Sequence, residues 1–175
     1  MGYSPMSLRF VYDGWDGYNK SLTEAVKPLT EEQLDFRSTP DMRSVREVFW
    51  HIAHGRVDWF QRIQAPFSIE LAQEMGEVDT RSLDADALAY WLGSTWEMVD
   101  AVLGQWSVQD IAETYRHAYQ GTTYAVSRQW TIWRIMCHDI HHGGQLSEML
   151  AMQGIEPLEL TLLGGHLTEP PVAKD

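Results

Sequence analysis

Four stretches of this sequence carry apolar side chains at helical spacing, and no other feature limits the fold as strongly. Leu8, Trp15 and Leu22 recur every seven residues, with Val11, Tyr18 and Ala25 in the companion phase. A helix with one apolar face is therefore predicted from Ser7 to about Val26, ended by Lys27-Pro28. Ser44 with Glu47 reads as a capping box. The helix it opens runs to about Gln64, with Val45, Val48, Ile52, Trp59 and Ile63 as its stripe. Asp84 caps a third helix, to about Leu103, striped by Leu88, Trp91, Thr95, Met98 and Val102. The fourth runs from about Gln129 to Gln153, carries Ile132, Ile135, Leu146, Met149 and Leu150, and stops at Gly154. Four such helices in one domain bury their stripes only against one another. The expected fold class is all-α: a four-helix bundle forming a single domain over residues 1–175, with 155–175 as a C-terminal tail.

The connections carry weaker signals. Thr30 and Gln33 form a second capping box opening a short helical turn. From Phe67 to Arg81 a short helix and a long acidic crossover fit the pattern. Ser107 to Glu113 reads as one further turn. The Tyr- and Thr-rich stretch from Thr114 to Arg128, with Gly121 at its centre, reads as a β-hairpin before the last helix, with a plain loop as the alternative.

Composition narrows the function. A chain of 175 residues can bury a core without covalent staples. Its single cysteine, Cys137, excludes a disulfide framework and a cysteine-based zinc site within one chain, and on the helical wheel it faces away from the histidines described next, as a packing residue. The 25 acidic against 13 basic side chains, a formal charge of −12, argue against nucleic acid or an anionic membrane surface as partner. No apolar run approaches the roughly 20 residues of a membrane span. The N-terminus lacks a signal-type apolar stretch, and Met6 stands where a myristoylation motif wants Ser or Thr. A cytoplasmic location is expected. The eight tryptophans, among them Trp50, Trp59, Trp91, Trp96 and Trp133, sit at helical spacings and are expected mostly in the core.

Chemistry is concentrated in the histidines. Of the seven, five fall in two clusters on two predicted helices: His51 and His54, then His138, His141 and His142. His142 lies about 40° round the helix from His138, the i,i+4 arrangement that lets two imidazoles share one ion. The apolar stripe of that helix centres roughly 80° from His138 on the side of His142, so His142 points inward, His138 sits at the stripe's edge and His141 flanks it farther out. His51 likewise sits at the edge of its stripe, which centres about 100° away. His54 lies on the polar side, where Glu47, His54, Asp58 and Arg62 make a polar strip. The ordinary reading is hydrogen-bonded core or solvated histidines. The sharper one is a divalent metal shared by His51, His138 and His142, with His54, Asp58 and His141 as candidates to orient ligands or carry a proton. Imidazoles suit zinc or nickel, with iron or copper as further choices. Three protein ligands leave a coordination position open, as in catalytic sites. His117 and His166 have no helical partner.

Two segments, Ser44-Val-Arg-Glu-Val-Phe-Trp-His51-Ile-Ala-His54 and His138-Asp-Ile-His141-His142-Gly-Gly-Gln145-Leu, resemble the DinB-like superfamily, and the resemblance runs from the first helix to Gly154. It implies an up-down-down-up four-helix bundle and a divalent metal on three histidines, which match His51, His138 and His142 by position. It also implies a homodimer. Characterised relatives use mycothiol or bacillithiol for S-transfer or maleylpyruvate isomerisation, and others are described as metal-dependent hydrolases. The isomerases carry a further C-terminal domain, whereas only about twenty residues follow Gly154 here, so that activity is not expected. Many members have Arg where Gly143 stands; two successive glycines loosen a helix by roughly 1 kcal/mol each and permit close helix approach.

The function expected is a metal-dependent enzyme acting through a low-molecular-weight thiol, with bacillithiol or mycothiol as co-substrate and a small-molecule electrophile as its target. Coordination would hold the thiol ionised near neutral pH. The alternatives are a metal-dependent hydrolase that activates water in the same position, and a metal-binding stress-response protein without catalysis.

Overall fold

Short polar side chains fix where the helices begin. The computed structural model describes residues 7–156 and Leu158, and the chain is mostly helical. In chain order the elements are α1 (Leu8–Val11), α2 (Trp15–Val26), α3 (Glu31–Asp35), α4 (Val45–Arg62), α5 (Ser68–Gly76), a single 3-10 turn (Thr80–Ser82), α6 (Ala85–Gln105), α7 (Val108–Ile111), the hairpin β1 (Thr114–Tyr119) and β2 (Thr122–Ser127), and α8 (Arg128–Ala151). Thr30 and Ser44 form the expected capping boxes with Gln33 and Glu47. Asp84 accepts from the Ala87 amide, and Ser127 does the same for α8 from Trp130. Each such cap stabilises its helix by about 1 kcal/mol.

The first predicted helix is two helices. Tyr12 to Gly14 interrupts it, with Gly14 at φ 91° and its amide bonded to the Asp13 carboxylate. A glycine in the left-handed region lets the chain turn without steric cost. The seven-residue pattern survives because Leu8, Trp15, Tyr18 and Leu22 are all still buried. Val11, predicted inward, is instead 64% exposed at the end of α1.

The remaining stripes are buried as patterned, from Val45, Val48 and Ile52 on α4 to Ile132, Ile135 and Leu146 on α8, except that Trp59 of the α4 stripe is only half-buried and lines a cleft. Helix α4 lies between α6 and α8, and α2 packs on α6. Helices α3 and α5 pack against α4. The tryptophans depart from expectation. Trp15 and Trp91 are buried, while Trp130 and Trp133 are 39% and 50% exposed, because they project from the α8 face opposite its stripe. The hairpin is present, with Tyr119 opposite Thr122. Its two-residue turn has φ 47° at Gln120 and 79° at Gly121, the positive pair that suits the twist of two short strands.

A buried ion pair ties the long helices together. Arg56 of α4 and Asp139 of α8 are both fully buried, with Nη2 2.8 Å from Oδ2. Arg56 Nη1 donates to Asn19 Oδ1 on α2 at 2.7 Å and to the Leu92 carbonyl on α6 at 3.1 Å. The Trp15 indole donates to the same Asp139 oxygen at 2.9 Å. Close by, the Tyr18 hydroxyl donates to the Asp139 and Ile140 carbonyls, each at 3.3 Å. A Cβ at Gly143 would overlap that hydroxyl, so the glycine leaves the room that the Tyr18 ring of α2 takes against α8.

Of the tail predicted over 155–175, Ile155, Glu156 and Leu158 are described, Leu158 being buried, and the rest, with His166, lies outside the described residues. Among the described residues no helix is long and apolar enough to cross a membrane.

Candidate metal centre

Three imidazoles converge where α4 and α8 face one another. His51 is on the second turn of α4, and His138 and His142 are one turn apart on α8. Their ring centroids are 4.5 to 4.8 Å apart in every pairing. One ligand nitrogen from each lies within 4.8 Å of the others, and the two Nε2 atoms of His51 and His138 are 3.2 Å apart. Nitrogens about 2.1 Å from a tetrahedral zinc are separated by about 3.4 Å, so the spacing matches a shared ion. Gly55 makes room for this. A Cβ there would stand 2.7 Å from His138 Cε1, and the ring would be pushed off its place against α4.

The surroundings prepare these rings as ligands. His142 Nδ1 donates to Gln145 Oε1 at 3.0 Å, which leaves Nε2 as the free lone pair. His138 Nδ1 faces Asp139 Oδ1 at 3.7 Å. Both atoms are buried and neither has a hydrogen-bond partner among the described residues. That geometry is one small closure short of the carboxylate–histidine support common behind metal ligands. Burial first, then the Arg43 guanidinium and then His138 and His142, pushes His51 down to about 4. Burial also lowers His142, with the Gln145 bond opposing it. Both rings are thus neutral at pH 7, the form that coordinates. The donor set, three imidazole nitrogens with no thiolate and a carboxylate behind one of them, fits zinc or nickel.

The depressed His51 has a consequence for the metal-free protein. Below pH 6.5, its ordinary value, the unfolded chain takes up a proton that folded His51 refuses until about pH 4. Stability present above pH 6.5 is therefore lost as pH falls across that window. Urea unfolding midpoints in chelator, taken from about pH 7 down to about pH 4, should decline, and more shallowly in His51→Ala.

A cleft of about 490 Å³ opens beside the cluster, lined by His51, His54, Trp50, Arg43 and the Arg37–Glu47 pair. Glu47 is engaged there: it receives both Arg37 nitrogens at 2.7 and 2.9 Å, which with the Ser44 amide holds its carboxyl below the usual range. Arg43 is exposed and makes no ion pair among the described residues. Of the flanking candidates, His54 lines the cleft and packs on Trp50 at 6.1 Å between centroids. His141 is exposed with its ring 4.9 Å from His142. Asp58 is not brought to the site. It lies two turns beyond His51 and is ion-paired with Arg62 at 2.9 Å. Cys137 is half-buried and free. Sequence reasoning missed Gln145 as the partner of His142, although its i,i+3 spacing was a usable signal, and it missed Arg43, which a loop brings in.

Residues 18–146 match the family model of the DinB superfamily. Solved structures with the same fold include a DinB-like protein from Bacillus cereus ATCC 10987, at TM-score 0.62 and 21% identity over 91% of this chain and 93% of that one. A DinB-like protein from Bacillus subtilis aligns at TM-score 0.61 and 16% identity over 84% of this chain and 93% of that one. A conserved protein from Enterococcus faecalis aligns at TM-score 0.61 and 14% identity, over 77% and 89%. No curated protein matches the sequence.

Proposed function

The chain belongs to the DinB superfamily, and we propose that it is a metal-dependent enzyme transferring a low-molecular-weight thiol to a small electrophile. The observation that carries this is three imidazoles facing one point, one of which, His51, lines an open cleft. A zinc or nickel ion on His51, His138 and His142 would supply Lewis acidity that keeps a thiol ionised near neutral pH. The protein does the rest. Gln145 holds the ring of His142 in orientation, and Asp139 stands 3.7 Å behind His138 Nδ1. Arg43 attracts the carboxylates of an incoming bacillithiol or glutathione, groups that mycothiol lacks. Trp50 offers an apolar wall, and His54, at the cleft surface, exchanges the thiol proton with solvent. The proposal includes a single domain, a homodimer and an up-down-down-up bundle of α2, α4, α6 and α8. The pairing of α2 with α6, α6 with α4 and α4 with α8 supports the bundle.

The test is turnover of an aryl halide by zinc- or nickel-loaded protein with each of the three thiols. Conjugate formation should require both metal and thiol, and Arg43→Gln should raise the KM for the thiol with less effect on kcat. Turnover of esters or amides without thiol would overturn the transferase reading in favour of hydrolysis. Bound metal with no turnover of either kind would leave a non-catalytic metal-binding protein.

A further inference from the structure

The hairpin closes a second cleft that shares no lining residue with the first. Strand alternation puts Tyr115, His117 and Tyr119 on one face with their partners Val126, Tyr124 and Thr122. That face overhangs α8, where the Tyr115 hydroxyl meets Thr131 Oγ1 at 2.9 Å. Beneath it lies a cavity of about 620 Å³ walled by Trp59 of α4, Trp130 and Arg134 of α8, and His117, Tyr119 and Tyr124. The volume is that of a small-molecule pocket.

Two guanidinium groups cover the Trp59 ring, Arg62 at 4.7 Å and Arg134 at 4.6 Å from its centroid. Their charges are not equivalent. Arg62 is neutralised by Asp58 and also contacts His117 Nδ1 at 3.1 Å. Arg134 reaches the Trp130 ring as well, at 5.5 Å, and makes no ion pair among the described residues. In a chain of net charge −12, an uncompensated cation between two indoles, one of them 39% exposed, is a local device and not a general field. Exposed aromatic clusters of this kind mark binding surfaces.

We propose that this cleft binds a small planar aromatic carboxylate. The ligand ring stacks against Trp130 and the hairpin tyrosines, and its carboxylate takes the paired N–H groups of Arg134. A cation would be repelled by Arg134, and a neutral arene would leave the guanidinium unmatched. Arg134 is one turn before His138 and Trp59 two turns beyond His51, so the cleft stands apart from the histidine cluster and does not depend on metal.

The test titrates cinnamate, and separately cinnamamide, into the full chain. Heat of binding and the indole N–H resonances of Trp59 and Trp130 are followed. Cinnamate should bind saturably and move both resonances, with roughly tenfold weaker binding for cinnamamide and for cinnamate with Arg134→Gln. Arg116→Gln, on the outer face of the hairpin, should bind as the parent does. Equal binding of acid and amide, unchanged binding in Arg134→Gln, or unmoved indole signals would each overturn the proposal. Metal content of Arg134→Gln should match the parent, so failure here is separable from failure of the metal reading.

Discussion

Asp139→Ala is expected to lower the stability of the metal-free protein by about 3–5 kcal/mol, the usual cost of leaving a buried charge unpaired. The carboxylate meets Arg56 and the Trp15 indole, and Arg56 has no exposed surface through which water could replace it. The loss is a large share of the roughly 5–15 kcal/mol that holds a domain folded. Arg56→Met should cost a similar amount, since it strands the carboxylate. Joining Arg56→Met with Asp139→Leu should recover much of the loss, because an apolar pair needs no partner. Urea denaturation in chelator measures all three. Additive losses in the double variant would mean that the two residues do not act as a pair.

His142→Ala is expected to remove the metal, and His141→Ala to leave most of it. The two rings are adjacent in sequence, but His142 is 8% exposed and turned to His51 and His138, whereas His141 is on the solvent side. Losing one of three imidazoles takes away a first bond to the ion, while Gln145→Ala should weaken affinity only about 10–100-fold, as loss of a supporting hydrogen bond does. Elemental analysis of protein purified without a metal column, followed by competition with a chromogenic chelator, ranks the three. Equal loss from His141→Ala and His142→Ala would mean that the ligand set is wrong.

Much of this could be read from the sequence because period carries direction. The stripes named the inward faces, the caps named the starts, and the same wheel brought His138 and His142 to one edge. The hairpin was signalled by its Tyr and Thr content and by Gly121. What the wheel could not give was the partner of a residue that violates it. Arg56 lies within about 40° of the centre of its apolar stripe, and Asp139 within about 20° of its own. Each alone looks like a misplaced charge, and only the packing of α4 on α8 makes them a pair. The break at Gly14 was hidden because the turn kept the heptad in phase. The cleft beside His51 was hidden because Arg37 and Arg43 come from a loop, where no period applies. Trp130 and Trp133 misled because aromatic residues were equated with core, whereas one face of α8 displays them.

The contact between Tyr18 and Gly143 has an evolutionary corollary. Where related chains carry arginine in place of Gly143, the space this phenol fills must be given up, because α2 and α8 leave no room for both. A side chain at position 143 and an undisplaced phenol at position 18 are mutually exclusive, so a change at either position depends on the residue at the other.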